Sequence, residues 1–299
     1  MPKFLASLHA GGKQHPLRGI AYYAVALLLF ACLDATAKYL AMRYPVPLIA
    51  WVRYAVHWLL MTGLFAQSMG RDLVRTQRTG VVVLRAMCLV VITFCMTSAL
   101  RRLPLAEATS MLFLAPLLVV LLARPVLQER IGAVRAAAVV AGFAGVLLIA
   151  RPGGNLDTVG VLLALGAALS NTGYQLLTRI LSSTENAVVM LYYSALVGSV
   201  CFGLLLPWFW HGPPLSTLDI GLFLSLGMLG GVGHFCFIQA FRDSPASMLA
   251  PVTYLQLVWA GLLGWLVFHQ VPASLTLLGM LIIAVAGVVV AVHGHRRGA

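Results

Sequence analysis

Few side chains in this sequence can ionise, and several that can lie in the middle of long apolar runs. Asp34 is the only acid well inside any such run, and Lys38 follows it at i+4, on the same face of a helix. This spacing allows two chemistries. The two charges can neutralise one another, with Lys38 snorkelling outward. Alternatively, Asp34 holds an ammonium group or a proton while Lys38 attracts a carboxylate. Arg53 and His57 repeat the i, i+4 spacing early in the next run. Arg53 reads as an interfacial anchor or a partner of Asp34 more readily than as a direct substrate contact, and His57 as a hydrogen-bonded packing residue or a proton carrier. Arg85 and Glu107 fall near enough to the ends of their runs to snorkel, and Glu129 and Arg130 read as caps of a helix end.

Catalytic constellations are missing. The nearest histidines, His57 and His234, have no His-x-x-Glu or Glu-x-x-His partner, and neither a Gly-x-Ser-x-Gly elbow nor a phosphate-binding Gly-Lys-Ser/Thr loop occurs, which argues against an intramembrane protease or an ATP-driven pump. The five cysteines sit inside apolar runs without ligand spacing, so neither a disulfide framework nor a zinc site is expected. No metal and no cofactor is implied. The net charge of +12 comes from basic residues scattered singly, without the aromatic-interleaved stripe of a nucleic-acid surface.

The elements that carry these residues follow from composition. With 61% hydrophobic and 9% charged residues and a mean hydropathy of +0.95, the chain cannot present a soluble surface. A helix needs about 20 apolar residues to cross the hydrocarbon core. Ten such runs lie near 19–41, 47–68, 80–100, 104–124, 131–150, 158–179, 187–208, 217–241, 247–268 and 273–293. The starts near Pro104 and Pro245 are the least sharply marked. The first run lacks a small-residue cleavage site and reads as a span rather than a signal peptide. With the N-terminus inside, inner connections and ends hold 14 Lys and Arg residues against 4 outside, namely Arg43, Arg101, Arg102 and Arg151. That bias places both termini in the cytoplasm.

The second half repeats the first. Gly19, Ala26, Leu40, Phe94, Arg101 and Pro104 meet Gly160, Ala167, Leu181, Phe235, Arg242 and Pro245, each pair at the separation that divides Pro104 from Pro245. The fold expected is therefore all-α and integral to the membrane: ten transmembrane helices as two inverted five-helix repeats, 1–150 and 151–299, joined through Pro152, Gly153 and Gly154. A unit with an odd number of spans inserts its two copies in opposite orientations, an arrangement typical of secondary transporters, with the substrate site between the halves. A carrier fits this pattern better than a channel does.

The stretch Ala99-Leu100-Arg101-Arg102-Leu103-Pro104-Leu105-Ala106-Glu107-Ala108, then Ala115-Pro116, Gln128-Glu129-Arg130, and Gly142 and Gly145, resembles the EamA repeat of the drug/metabolite transporter superfamily. Lys38 and Arg53 match the same pattern, and the second copy offers Ala240 to Pro245, Ala250-Pro251, Tyr254-Leu255-Gln256 and Gly287. Gln270 and Val271 depart from the family's usual acidic end of the fourth helix. The resemblance implies ten helices around a central cavity, alternating access, and a bacterial inner-membrane location. A branch of similar size and layout exports amino acids.

Under the same repeat shift Asp34 corresponds to Gln175 and Lys38 to Arg179. The candidate cavity residues are Asp34 and Lys38 in the first run, Asn171, Tyr174 and Gln175 in the sixth, His234 and Gln239 in the eighth, and Tyr254, Gln256 and Trp259 in the ninth. Any one of the neutral groups can equally serve as glue between helices. Together, aromatic and uncharged polar groups suit zwitterionic or neutral metabolites with apolar side chains. The expectation is an exporter of amino acids, aromatic or apolar ones favoured, with related small metabolites; a carrier of drugs, sugars or nucleotide conjugates is the alternative. Its partners are a small-molecule substrate and the lipid bilayer, with no nucleic acid, and the protein is a monomer or homodimer. The glycines of the eighth run, Gly227 to Gly233, are dense enough to form a gating hinge, whereas Gly142 and Gly145 suit close helix packing.

Overall fold

A computed structural model describes residues 16–127, 133–150, 156–181, 184–210, 213–244, 249 and 252–295. The linker glycines Gly153 and Gly154, the cap residues Glu129 and Arg130, Pro245 and Pro251 lie outside these residues. The described elements are helical, as a chain in hydrocarbon must be if every backbone N–H and C=O is to find a partner within its own segment. They are α1 (Pro16–Ala41), α2 (Val46–Met69), a single 3-10 turn (Gly70–Leu73), α3 (Thr79–Arg102), α4 (Leu105–Leu112), α5 (Leu114–Leu127), α6 (Ala133–Ala150), α7 (Thr158–Leu181), α8 (Ala187–Phe209), α9 (Thr217–Asp243), α10 (Leu255–Phe268) and α11 (Ser274–His295).

Helices α1, α2, α3, α7, α8 and α9 are long and apolar enough to cross a membrane, and four further apolar segments are shorter. In two places the helix is broken within the run. The run expected as one span from 104 to 124 divides at Phe113, which closes α4 by donating its N–H to Ser110 O at 3.1 Å. Pro116, three residues on, has no N–H to continue the ladder across the break. In the second half, Tyr254 precedes α10 in a turn whose bonds, Gln256 to Thr253 and Leu257 to Tyr254, span three residues instead of four. Phe113 and Tyr254 are counterparts under the repeat shift, and their rings pack together at 5.4 Å. The Tyr254 hydroxyl lies where any side chain at Gly287 would be.

Packing runs mainly between the halves. Helix α1 lies along α9 and α3 along α7, with α2 on α8 and α6 on α11. The contacts are reciprocal: α2 also meets α9 as α8 meets α3, and α10 meets α1 as α4 and α5 meet α7. Glycines set the closest approaches, since a Cβ on Gly145 would lie 2.9 Å from the Gly279 carbonyl.

The helix corners show the same reciprocity. Tyr44, between α1 and α2, donates its hydroxyl to Asp219 Oδ2 at 2.9 Å, and Arg43 lies 3.7 Å from the other oxygen. Asp219 also closes a capping box with Ser216 at the start of α9. Burial and the bond to Asp219 raise the Tyr44 phenol above its ordinary range, which keeps it a donor. Glu185, the repeat counterpart of Tyr44, accepts the N–H groups of Gln77 and Arg78 at 2.9 and 2.7 Å. Arg78 in turn is the counterpart of Asp219. Each corner between the first two helices of one half is thus stapled to the start of the third helix of the other.

Candidate functional site

Three helices bring ionisable groups together. Helix α1 carries Phe30 and Asp34 one turn apart, α2 carries Arg53 and His57 one turn apart, and α9 carries His234. The imidazoles of His57 and His234 lie nearly parallel, with centroids 5.8 Å apart and planes at 14°. Phe30 lies 5.0 Å from His234 and 6.4 Å from Phe237. Gly233 lets α1 come this close, because a Cβ there would sit 2.7 Å from the Phe30 ring. Gly230 and Gly231, the centre of the expected hinge, have room for a methyl group.

Arg53 lies within electrostatic reach of Asp34, His57 and His234, with its guanidinium 5.7 Å from the Tyr54 ring. Among the described residues, neither Asp34 nor Arg53 makes a hydrogen bond or an ion pair. Asp34 is half-buried. His57 is only 7% exposed, and its Nε2 has no hydrogen-bond partner among the described residues. Charge so far inside a span is expensive, about 2.5–3.5 kcal/mol on insertion scales, and belongs where a ligand or water can meet it.

Lys38 does not pair with Asp34. Its ammonium is turned to the C-terminal end of α3, donating to Leu100 O at 2.7 Å and Leu103 O at 2.5 Å, and it faces the Phe268 ring at 5.3 Å. A cation there meets carbonyls that the end of a helix leaves without N–H partners. Glu107, 5% exposed, is the acid within its electrostatic reach.

Arg85 corrects the sequence reading most sharply. It does not snorkel; it is 4% exposed and ties α3 to α7 and α8. Nε donates to Thr178 Oγ1 at 2.7 Å, Nη1 to Ser194 Oγ at 3.0 Å and Met190 O at 3.2 Å, and Nη2 to the Tyr174 hydroxyl at 2.6 Å. Glu107, in the first turn of α4, is likewise buried rather than turned to water.

The remaining candidates divide by position. Asn171 and Gln175 are half-buried on α7, which packs on α3, whereas Asp34 belongs to the α1 and α9 side. Trp259 packs with Tyr23, Leu27, Ala240 and Leu249, about two turns of α1 from Asp34. Gln239 and Gln256 are half-buried on α9 and α10. Tyr254 is taken up by Phe113 and Gly287. A separate pocket of about 320 Å³, lined by residues that include Tyr44, Trp51, Trp210 and Phe223, contains no charged side chain and offers nothing to a zwitterion. Sequence reasoning did not single out Phe30, Ser194 or Phe113. Phe113 was detectable as the repeat counterpart of Tyr254.

Known proteins narrow the reading. The chain is similar to a riboflavin transporter of Vibrio cholerae, 28% identical over 279 residues covering 92% of this chain and 93% of the relative. It is similar also to an S-adenosylmethionine uptake transporter of Rickettsia prowazekii, at 27% over 267 residues, 89% and 90%. A pseudopaline exporter of Pseudomonas aeruginosa matches at 26% over 271 residues, 90% and 94%. A solved crystal structure superposes with a TM-score of 0.65 at 20% identity, covering 95% of this chain and 98% of that one, which shows the shared fold. The EamA-like transporter family matches twice, over residues 17–151 and 158–292. Multi-pass helices, two matched repeats and relatives that are all transporters of small metabolites lead to one conclusion: this chain is a membrane transporter, not an enzyme, and belongs to the EamA-like transporter family.

Proposed function

We propose that the protein is an alternating-access carrier of amino acids, aromatic and apolar ones favoured, and of related metabolites bearing the same ammonium and carboxylate pair. The observation that carries this reading is that Asp34 and Arg53, within electrostatic reach of each other, make no hydrogen bond or ion pair among the described residues, and that Phe30 lies one turn before Asp34 on α1. A zwitterion entering there sets its ammonium on Asp34 and its carboxylate on Arg53 and the open Nε2 of His57, while its side chain lies along Phe30 and Phe237. Lys38 holds α3 against α1, and Tyr174 orients Arg85. Asn171, Gln175, Gln239, Gln256 and Trp259 bound the path on either side.

The carrier has ten spans, α4 with α5 forming one and α10 ending another, in two inverted repeats over residues 1–150 and 151–299. Both termini face the cytoplasm of a bacterial inner membrane. Reciprocal packing and the paired corner staples support the two-fold relation, and the charge bias supports the orientation. The relatives' names include both uptake and export. Export is the direction implied by the resemblance.

Counterflow in liposomes tests the reading: purified protein, preloaded with unlabelled amino acid, should accelerate saturable entry of the labelled one. A panel of amino acids is run beside riboflavin and S-adenosylmethionine. Flux of either of the latter with none for any amino acid overturns the proposed class in favour of another solute.

A further inference from the structure

The two stacked imidazoles sit in unusual surroundings. His57 and His234 face each other at 5.8 Å, and His57 keeps a buried Nε2 without a partner among the described residues. Burying a polar nitrogen unpaired carries its full desolvation cost, a cost removed when something binds. The charged groups that reach the pair are Arg53 from α2 and Arg85 from α3, both cations. The acid within electrostatic reach of Arg53 is Asp34 on α1. Tyr54 on α2 and Tyr174 on α7 lie beside the two arginines.

Two positive charges 5.8 Å apart repel strongly wherever the effective dielectric constant falls well below that of water, so the pair has room for one proton and not two. A carboxylate arriving at Arg53 and His57 supplies the negative charge that one imidazolium beside two arginines requires. Proton and carboxylate therefore favour each other's binding, and this coupling is reciprocal.

We propose that His57 and His234 form a coupling-proton site, loaded together with the substrate carboxylate, so that one proton accompanies each substrate molecule. The proton comes from water on the side where substrate enters and returns to water on the other side. This rests on the reading of the Asp34 and Arg53 cluster as the substrate site. The proton gradient of a cell then drives substrate inward, opposite to the export implied by the resemblance.

The test uses full-length protein in liposomes with the membrane potential clamped and a pH dye inside. The probe is the labelled amino acid with the fastest counterflow. A gradient of one pH unit, acid outside, should accumulate it about tenfold, and its entry should acidify the lumen. His234→Gln should abolish that accumulation while leaving measurable counterflow, whereas His57→Gln, which also loses a contact to the substrate carboxylate, should abolish accumulation and lower counterflow as well. Wild-type counterflow without accumulation overturns the coupling and leaves the proposed substrate site standing. Accumulation that survives in either folded variant also overturns it. No amino-acid counterflow at all overturns both. The wild-type measurement decides even where a variant fails to fold.

Discussion

The region around Asp34 and the region related to it by the repeat shift have the same helix geometry and opposite character. Phe30, Asp34, Arg53, His57 and His234 correspond to Asn171, Gln175, Ser194, Gly198 and Thr93. Every charged or titratable group on the first side is matched by a neutral one on the second. The second side is also filled by the protein itself. The Tyr54 ring lies over Gly198 and its hydroxyl bonds Thr93 at 2.6 Å, so it occupies the space of the missing histidine pair. Arg85 takes Ser194 as a partner. Duplication kept the scaffold, and divergence left one open ionisable site and one plugged one.

The comparison breaks first at Asp34. Asp34→Asn should reduce counterflow about 100-fold, since removing one partner of a desolvated charge pair costs about 2–5 kcal/mol, with little change in thermal stability in detergent. Gln175→Leu at the matching position should change flux less than about threefold. Equal losses from the two would mean that both sides bind substrate.

Arg85 tests the plug. Arg85→Leu leaves Tyr174, Thr178 and Ser194 without their donor and should destabilise the protein by about 2–3 kcal/mol, read as a lower melting temperature. Flux per folded molecule should fall far less than in Asp34→Asn. Gly198→Ala drives a methyl group into the Tyr54 ring and should cost about 1–3 kcal/mol of stability by overpacking, whereas Gly231→Ala, where space exists, should be close to neutral in stability and in turnover. The smallest effects belong to the corner staples. Tyr44→Phe and Glu185→Ala should each cost about 1 kcal/mol, and similar values would show that the two ends of the molecule are held alike.

Much of the scaffold was legible. Charges and turn residues mark where apolar runs stop, so the runs near 80–100 and 158–179 correspond to Thr79–Arg102 and Thr158–Leu181. Asp34 stood out because an isolated acid in hydrocarbon has no cheap explanation. What the pattern concealed was direction. Distance from a span end made Arg85 look able to reach water, yet its side chain points into the protein, toward partners in the other half of the chain. Lys38 ends on backbone carbonyls, which no side-chain pattern records. The break at Phe113 depends on how one turn closes ahead of Pro116, and an apolar run reads the same with or without it.

The contact between Phe113 and Tyr254 has a mechanical meaning. In the inverted arrangement proposed above, the carrier passes from outward-open to inward-open when its halves exchange shapes, and a rotation that exchanges two halves leaves points on its axis where they were. Two equivalent residues that touch mark such a point. Phe113 and Tyr254 are then a bearing, with Gly287 as its seat, about which both broken helices swing while the rings stay in place. Traffic through the membrane must pass beside this pivot rather than through it, and a bulkier residue at Gly287 would jam the exchange without touching the solute.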